Sequence, residues 1–188
     1  MWPSKLGSIE QTKCIDCARQ VHAVITAEVD ALREQFGFPG MRILQFGFSD
    51  RSAHNYLPHR YVPNTVVYTG THDNNTTRGW WNHEATKVEK EAVKTYLGTG
   101  KKDVVWAMIR AAETSVADTC VIPVQNLLEL GDEARMNMPS STGDNWSWRC
   151  PEGALTAEIA QKLAAITEVS DRDPESGRQP AEPAPDAT

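Results

Sequence analysis

At 188 residues the chain has the length of one ordinary domain, and 40% apolar residues suffice for a core without being rich. A formal charge of −6 argues against a general nucleic-acid binder, because phosphate contacts need clustered Lys and Arg, and Lys101-Lys102 is the sole adjacent lysine pair. No apolar run approaches the roughly 20 residues that span a bilayer, and Met1-Trp2-Pro3-Ser4-Lys5 lacks the apolar centre of a signal peptide, so no membrane partner and a cytoplasmic location are expected.

Residues 1–20 show no clean period and read as an irregular lead-in. They contain Cys14-x-x-Cys17, whose spacing is that of half a zinc site or a redox pair. No second such pair accompanies it and no strand precedes it. Cys14, Cys17, Cys120 and Cys150 read more simply as free thiols in a reducing compartment. From Val21 onward, Val24, Ile25, Val29, Leu32 and Phe36 recur at helical spacing, with Thr26 as a cap and Gly37 and Pro39-Gly40 as the stop. Residues 41–48 are short, largely apolar and bounded by Gly and Ser-Asp, which predicts a buried strand. Residues 49–64, with His54, Tyr56, Pro58, His59, Tyr61 and Pro63, read as a long loop.

Residues 65–69 form a second, β-branched strand, and the composition then changes abruptly. Thr71, His72, Asp73, Asn74, Asn75 and Thr76 follow Gly70, and Trp80-Trp81 closes the stretch. No hydrophobic core needs that set. Polar groups leaving a buried strand beside aromatic platforms suit a polar ligand with flat apolar faces, such as a sugar. A helix over residues 84–97 is predicted with Val88, Ala92, Val93, Tyr96 and Leu97 inward, and a second follows a cap at Asp103 with Val104, Val105, Met108, Ile109, Ala112 and Val116 on one stripe. Residues 118–124 read as a third short strand, 125–130 as a helical turn and 131–149 as irregular. A last helix is capped at Thr156, with Leu155, Ile159, Leu163 and Ile166 inward. Beyond Ser170 the chain lacks large apolar residues and reads as a disordered tail.

Strands alternating with helices imply parallel β/α units, whose reactive face lies at the C-terminal strand ends. Three strands do not close an eight-stranded barrel, which takes about 250 residues. The sheet is therefore either open or part of something larger. Three readings compete for His72 and Asp73. One is a metal pair of the HD-phosphohydrolase type, with His54 or His59 as further ligands, but those enzymes place the pair on helices. Another is a purely structural hydrogen bond. The third makes Asp73 a carboxylate that steadies sugar hydroxyls during glycoside cleavage, with Trp80, Trp81, Trp146 or Trp148 stacking on sugar faces or simply packing the core. Arg78 and Arg149 are expected to pair with carboxylates.

Several ordered motifs resemble one family. Phe38-Pro39-Gly40-Met41-Arg42-Ile43-Leu44-Gln45-Phe46, Tyr56-Leu57-Pro58-His59, the block at residues 64–81, Glu113-Thr114-Ser115, Ala134-Arg135-Met136-Asn137 and Asn145-Trp146-Ser147-Trp148-Arg149 look like the 4-α-glucanotransferases. These are the amylomaltases, or disproportionating enzymes, of glycoside hydrolase family 77, and the likeness runs from about Val24 to Ile166. The resemblance implies an α/β chain that forms the C-terminal portion, about three strand/helix units, of a (β/α)8 TIM barrel. It implies residues 1–23 as a divergent lead-in, 24–169 as partial barrel and 170–188 as the tail. It implies transfer of α-1,4-glucan segments through a covalent glucosyl intermediate, with α-1,4-glucans and malto-oligosaccharides as partners and no metal or organic cofactor. Asp73 falls at the family's transition-state-stabilising aspartate, His72 at its substrate-binding histidine and Asn145 at an asparagine of the same subsite.

Departures from the family pattern carry as much meaning. Val24-Ile25-Thr26-Ala27-Glu28-Val29 matches the run that follows the family's proton-donating glutamate, yet Gln20 stands at the glutamate position. The nucleophilic aspartate belongs to a strand further upstream. Asn75 stands where many relatives carry aspartate. These departures predict a fragment that does not turn over glucan unaided, partnered by the missing N-terminal part of the barrel, or else a non-catalytic glucan-binding remnant.

Overall fold

The middle strand of the sheet is β2 (Thr65–Tyr68), flanked in parallel by β1 (Gly40–Ile43) and β3 (Thr119–Val121). The computed structural model describes residues 27–49 and 51–172. Residues 1–26 lie outside it, and with them the expected lead-in, Cys14, Cys17, Gln20 and the cap at Thr26; so do residues 173–188 of the expected tail. The register pairs Met41 with Val66 and Thr119, and Arg42 with Val67 and Cys120. Side chains alternate across a strand, so Val67 and Cys120 share one face while Met41, Val66 and Thr119 share the other.

The helices are α1 (Ala27–Gln35), α2 (Lys87–Leu97), α3 (Val104–Glu113), α4 (Val124–Leu127) and α5 (Ala157–Val169), and residues of α2, α3, α4 and α5 pack into the core that contains Val67. α3 contacts the Thr77–Gly79 turn, α2, α4 and α5. It is correspondingly apolar nearly all round, with Val104, Val105, Met108, Ile109 and Ala112 fully buried against Leu44, Phe48, Val67, Trp80, Trp81, Val93 and Ile166. The other face of the sheet is open: Met41 and Val121 are 43% and 40% exposed, where a parallel sheet normally has both faces covered.

Local chemistry sets the element ends. Thr86 caps α2 by accepting from the Glu89 N–H, and the Glu89 carboxylate accepts from the Thr86 N–H at 2.7 Å. Gly98 ends α2 at φ +63°, a left-handed conformation that glycine adopts without steric cost. Thr156 caps α5 as expected, through the Ile159 N–H at 3.4 Å.

Several expectations need correction. The strand expected over residues 41–48 stops at Ile43, and Leu44–Phe48 winds into a 3-10 turn that buries both end residues. A short apolar run cannot distinguish these by periodicity. The expected loop at 49–64 contains two further 3-10 turns, Arg51–Tyr56 and Pro58–Arg60, and the Tyr61 hydroxyl donates to the Tyr56 carbonyl at 2.6 Å. The helix expected from residue 84 starts at Lys87, since Glu84 ends a π-helical turn, Trp80–Glu84. Val88, Val116 and Leu155 face outward, Tyr96 is partly exposed with its ring against Phe48, and Val29 and Leu32 of α1 and Phe36 just beyond it are exposed as well. The third strand is shorter than expected, because Pro123 caps α4 rather than ending β3. The tail begins later than Ser170: Arg172 is fixed by bonds to the carbonyls of Glu113, Ser115, Ala117 and Asp118.

Among the described residues no helix is long and apolar enough to cross a membrane. Cys120 packs against the core, where burial first and the Glu113 carboxylate second push its thiol pKa up.

Candidate functional site

The turn that leaves β2 is tied down at both ends by one buried amide. Asn126, on α4, donates to Thr69 Oγ1 at 2.7 Å and accepts from the Thr77 N–H at 2.9 Å. Gln45 donates to the Asn75 carbonyl at 3.0 Å, and a Cβ on Gly70 would lie 2.7 Å from Gln45 Nε2, so a side chain at residue 70 would displace the amide that makes this bond. Within the turn, the Thr71 N–H and hydroxyl both donate to Asn74 Oδ1, at 2.9 and 2.8 Å. Thr76 Oγ1 accepts from the Gly79 N–H at 3.0 Å and starts the helical turn that leads to Trp80.

These anchors hold His72 and Asp73 out at the C-terminal end of the strand. Their side chains are 54% and 51% exposed, with Nε2 and Oδ1 3.4 Å apart. The His72 ring packs on Trp146 at 4.9 Å between centroids. Trp146 is itself 54% exposed and sits at φ +63°, strained for a bulky side chain; its N–H donates to the Met136 carbonyl at 2.7 Å. A cavity of about 340 Å³ opens between the turn and the irregular segment, with Gly70, His72, Asn75, Gln125, Arg135 and Trp146 among its lining. Met41, Tyr68 and Val121 bring the open sheet face into the same cavity. It therefore offers amides, an imidazole and a guanidinium along with an apolar floor and an indole, a mixture suited to a hydroxyl-rich ring.

The candidates from the sequence do not all converge. His72 lines the cavity, whereas Asp73 stands beside it with its carboxylate turned to Asn137. Asn145 is spent on its own loop: Oδ1 accepts from the Met138 N–H at 2.8 Å, and Nδ2 donates to Ser141 O and Oγ. It thereby fixes the loop that presents Trp146. Trp80 and Trp81 are core residues, each 3% exposed, and offer no sugar platform. Arg78 pairs with Glu129 as expected, but Arg149 bonds the Trp146 and Trp148 carbonyls rather than a carboxylate. His72 and Asp73 lie on a turn, not a helix, and His59 Nδ1 sits 3.0 Å from the Tyr96 hydroxyl, so the HD-type arrangement is absent. Among the described residues no three His, Cys, Asp or Glu side chains gather.

Sequence reasoning missed Gln45, Asn126, Arg135 and Asn137 as members of the site. Arg135 and Asn137 were present in the motif Ala134-Arg135-Met136-Asn137, but nothing in the spacing tied them to Asp73.

A sequence profile of the 4-alpha-glucanotransferases, glycoside hydrolase family 77, matches residues 10–156. The chain belongs to this family. Relatives within the 4-alpha-glucanotransferases include the enzyme of Clostridium butyricum, 44% identical, with 79% of this chain and 31% of the relative aligned. The 4-alpha-glucanotransferase of Thermus thermophilus is 45% identical over the same two shares, 79% and 31%. Among solved structures, an amylomaltase from Streptococcus agalactiae in complex with acarbose superposes with a TM-score of 0.73 at 33% identity, covering 78% of this chain and 30% of that one. An amylomaltase from Corynebacterium glutamicum, TM-score 0.56 at 17% identity, shares the fold, with 77% of this chain and 27% of that chain covered. The chain thus spans about a third of the length of the glucanotransferases it matches. The family match begins at residue 10, upstream of the boundary expected at 24.

Proposed function

We propose that the chain carries the glucan-gripping part of a 4-α-glucanotransferase site, in which Asp73 steadies the sugar at the cleavage point, His72 binds its hydroxyls and Asn145 holds the wall of the subsite. The observation that carries this reading is the position of His72 and Asp73. They leave the C-terminal end of a parallel strand beside the exposed indole of Trp146, in a chain of the glucanotransferase family. The ligand is an α-1,4-glucan or malto-oligosaccharide. The likeness to an amylomaltase crystallised with acarbose supports this class.

Retaining transfer needs a carboxylate nucleophile and a carboxylic proton donor. The resemblance aligns the donor with Gln20, and an amide cannot supply that proton. The chain unaided therefore binds glucan and does not turn it over. The open sheet face and the outer edges of β1 and β3, which no other described strand pairs, are where further units of a (β/α)8 barrel would pack.

Titration with maltoheptaose at micromolar protein, followed by tryptophan fluorescence, tests the binding claim. Saturable binding is expected, and Trp146→Ala or Asp73→Ala should each weaken it about tenfold, the scale of one aromatic stack or one charged hydrogen bond. No saturable binding by the unaltered chain would sink the glucan reading. Incubation with maltotriose should release no glucose, and robust release would overturn the claim that turnover needs residues beyond these.

A further inference from the structure

We propose that Arg135 and Asn137 are positioning residues for Asp73, and that the wall of the site is a clamp built across three separate chain segments. The proposal rests on the glucan reading of the site and adds residues that the motif match does not assign. Hydrogen bonds internal to the turn are made by Thr71 and Asn74, and within the turn the Asp73 carboxylate has only the longer contact of Oδ1 with His72 Nε2, at 3.4 Å. That carboxylate is instead held from the irregular segment: Asn137 Nδ2 donates to Asp73 Oδ1 at 2.6 Å, while the Asn137 N–H donates to the His72 carbonyl at 3.1 Å. Asn137 therefore grips the two neighbouring residues together, one by its backbone and the other by its side chain.

Arg135 holds Asn137 in turn. Its guanidinium donates from Nε to the Asn137 carbonyl at 2.9 Å, from Nη2 to the Asp73 carbonyl at 2.8 Å and from Nη1 to Glu84 Oε1 at 3.0 Å. A planar fork serves three acceptors in fixed directions, which a lysine ammonium cannot reproduce. Glu84 Oε1 also accepts from Asn75 Nδ2 at 2.9 Å, so the clamp closes back onto the same turn. The π-helical turn Trp80–Glu84, closed by the Ala85 N–H to Trp80 carbonyl bond at 2.8 Å, delivers Glu84 to that place. The consequence is geometric: Asp73 Oδ1 is fixed on Asn137, and with it the orientation of the half-exposed carboxylate beside the cavity.

A double-mutant cycle on maltoheptaose affinity is the test. Asn137→Ala should weaken binding about tenfold when Asp73 is present and have no further effect in an Asp73→Ala background. Arg135→Lys keeps the charge and should lose affinity about tenfold with its circular dichroism unchanged. Equal loss from Asn137→Ala in both backgrounds, or an Arg135→Lys variant that melts earlier yet binds normally, would show a merely structural role and overturn the proposal. Hydrogen exchange without ligand supplies an independent arm. Asp73→Ala should speed amide exchange at residues 136–138, and unchanged exchange there overturns the proposal. Should the unaltered chain bind no maltoheptaose, the glucan reading fails, and the exchange measurement still decides whether the clamp holds Asp73.

Discussion

Asn75 shows how much a single atom matters in this site. Its Nδ2 donates to Glu84 Oε1 at 2.9 Å, and the residue is 5% exposed. Aspartate at this position would set a second carboxylate against Glu84 in a poorly solvated place, where like charges oppose ionisation of the pair. We expect Asn75→Asp to cost about 1–3 kcal/mol near neutral pH. The sign follows from the raised carboxylate pKa in the folded state: the protonated form restores the hydrogen bond, so stability should recover as pH falls through the carboxylate range. Thermal melts of the two proteins across pH 4 to 8 check this, and a pH-independent difference between them would contradict it. The exposed turn that carries His72 and Asp73 was legible because polar residues following a β-branched strand have no place in a core. Gln45, Asn126, Arg135 and Asn137 were not, because their partners lie 30, 57, 62 and 64 residues away along the chain. No local pattern encodes such a pairing.

The helices show the same division. Caps are short-range chemistry, and Thr156 was named from its neighbours; the Thr86 box was missed, and Asp103 takes the N-cap position of α3 without a side-chain bond. Thr86→Ala removes one half of a reciprocal box and should destabilise the chain by about 1 kcal/mol, seen as a lower denaturation midpoint with an unchanged slope. A change in slope would instead point to an altered folded or unfolded ensemble. Inward-facing positions were read less well. Val88 has the right spacing for the α2 stripe yet points to solvent, while Glu89 is buried because its carboxylate is committed to the cap. α5 is anchored past its own end. Arg172 donates to four backbone carbonyls in the segment between α3 and β3 and pairs with Glu113 at 3.6 Å. Arg172→Ala leaves three part-buried carbonyls and the Glu113 carboxylate without this donor and should cost about 1–3 kcal/mol, measurable by chemical denaturation. A loss within experimental error would mean that water replaces the guanidinium there.

The molecule is one-sided. Helices and a well-filled core cover the Val67 face of a three-stranded sheet, while Met41 and Val121 stand on a face that is largely bare. Among the described residues no further strand pairs with the outer edges of β1 and β3, and Val29 and Leu32 of α1, with Phe36 just beyond it, add to the exposed apolar surface. Purified alone, the chain should self-associate as its concentration rises, visible in light scattering and in a sedimentation profile that broadens with loading. A sharp monomer at high concentration with cooperative unfolding would contradict this.

Short-range chemistry fixed the strand–helix alternation, the cap at Thr156, the polar run after β2 and, through ordered motifs, the family. Those features depend on a few neighbouring residues, which is why a linear reading recovers them. Which tryptophan lines the cavity, how Asn145 spends its amide, and which side chains bond Asp73 depend on segments that meet only in the folded chain. Packing Trp80 and Trp81 into the core left Trp146 as the indole beside His72, and that choice belongs to contacts between distant parts of the chain.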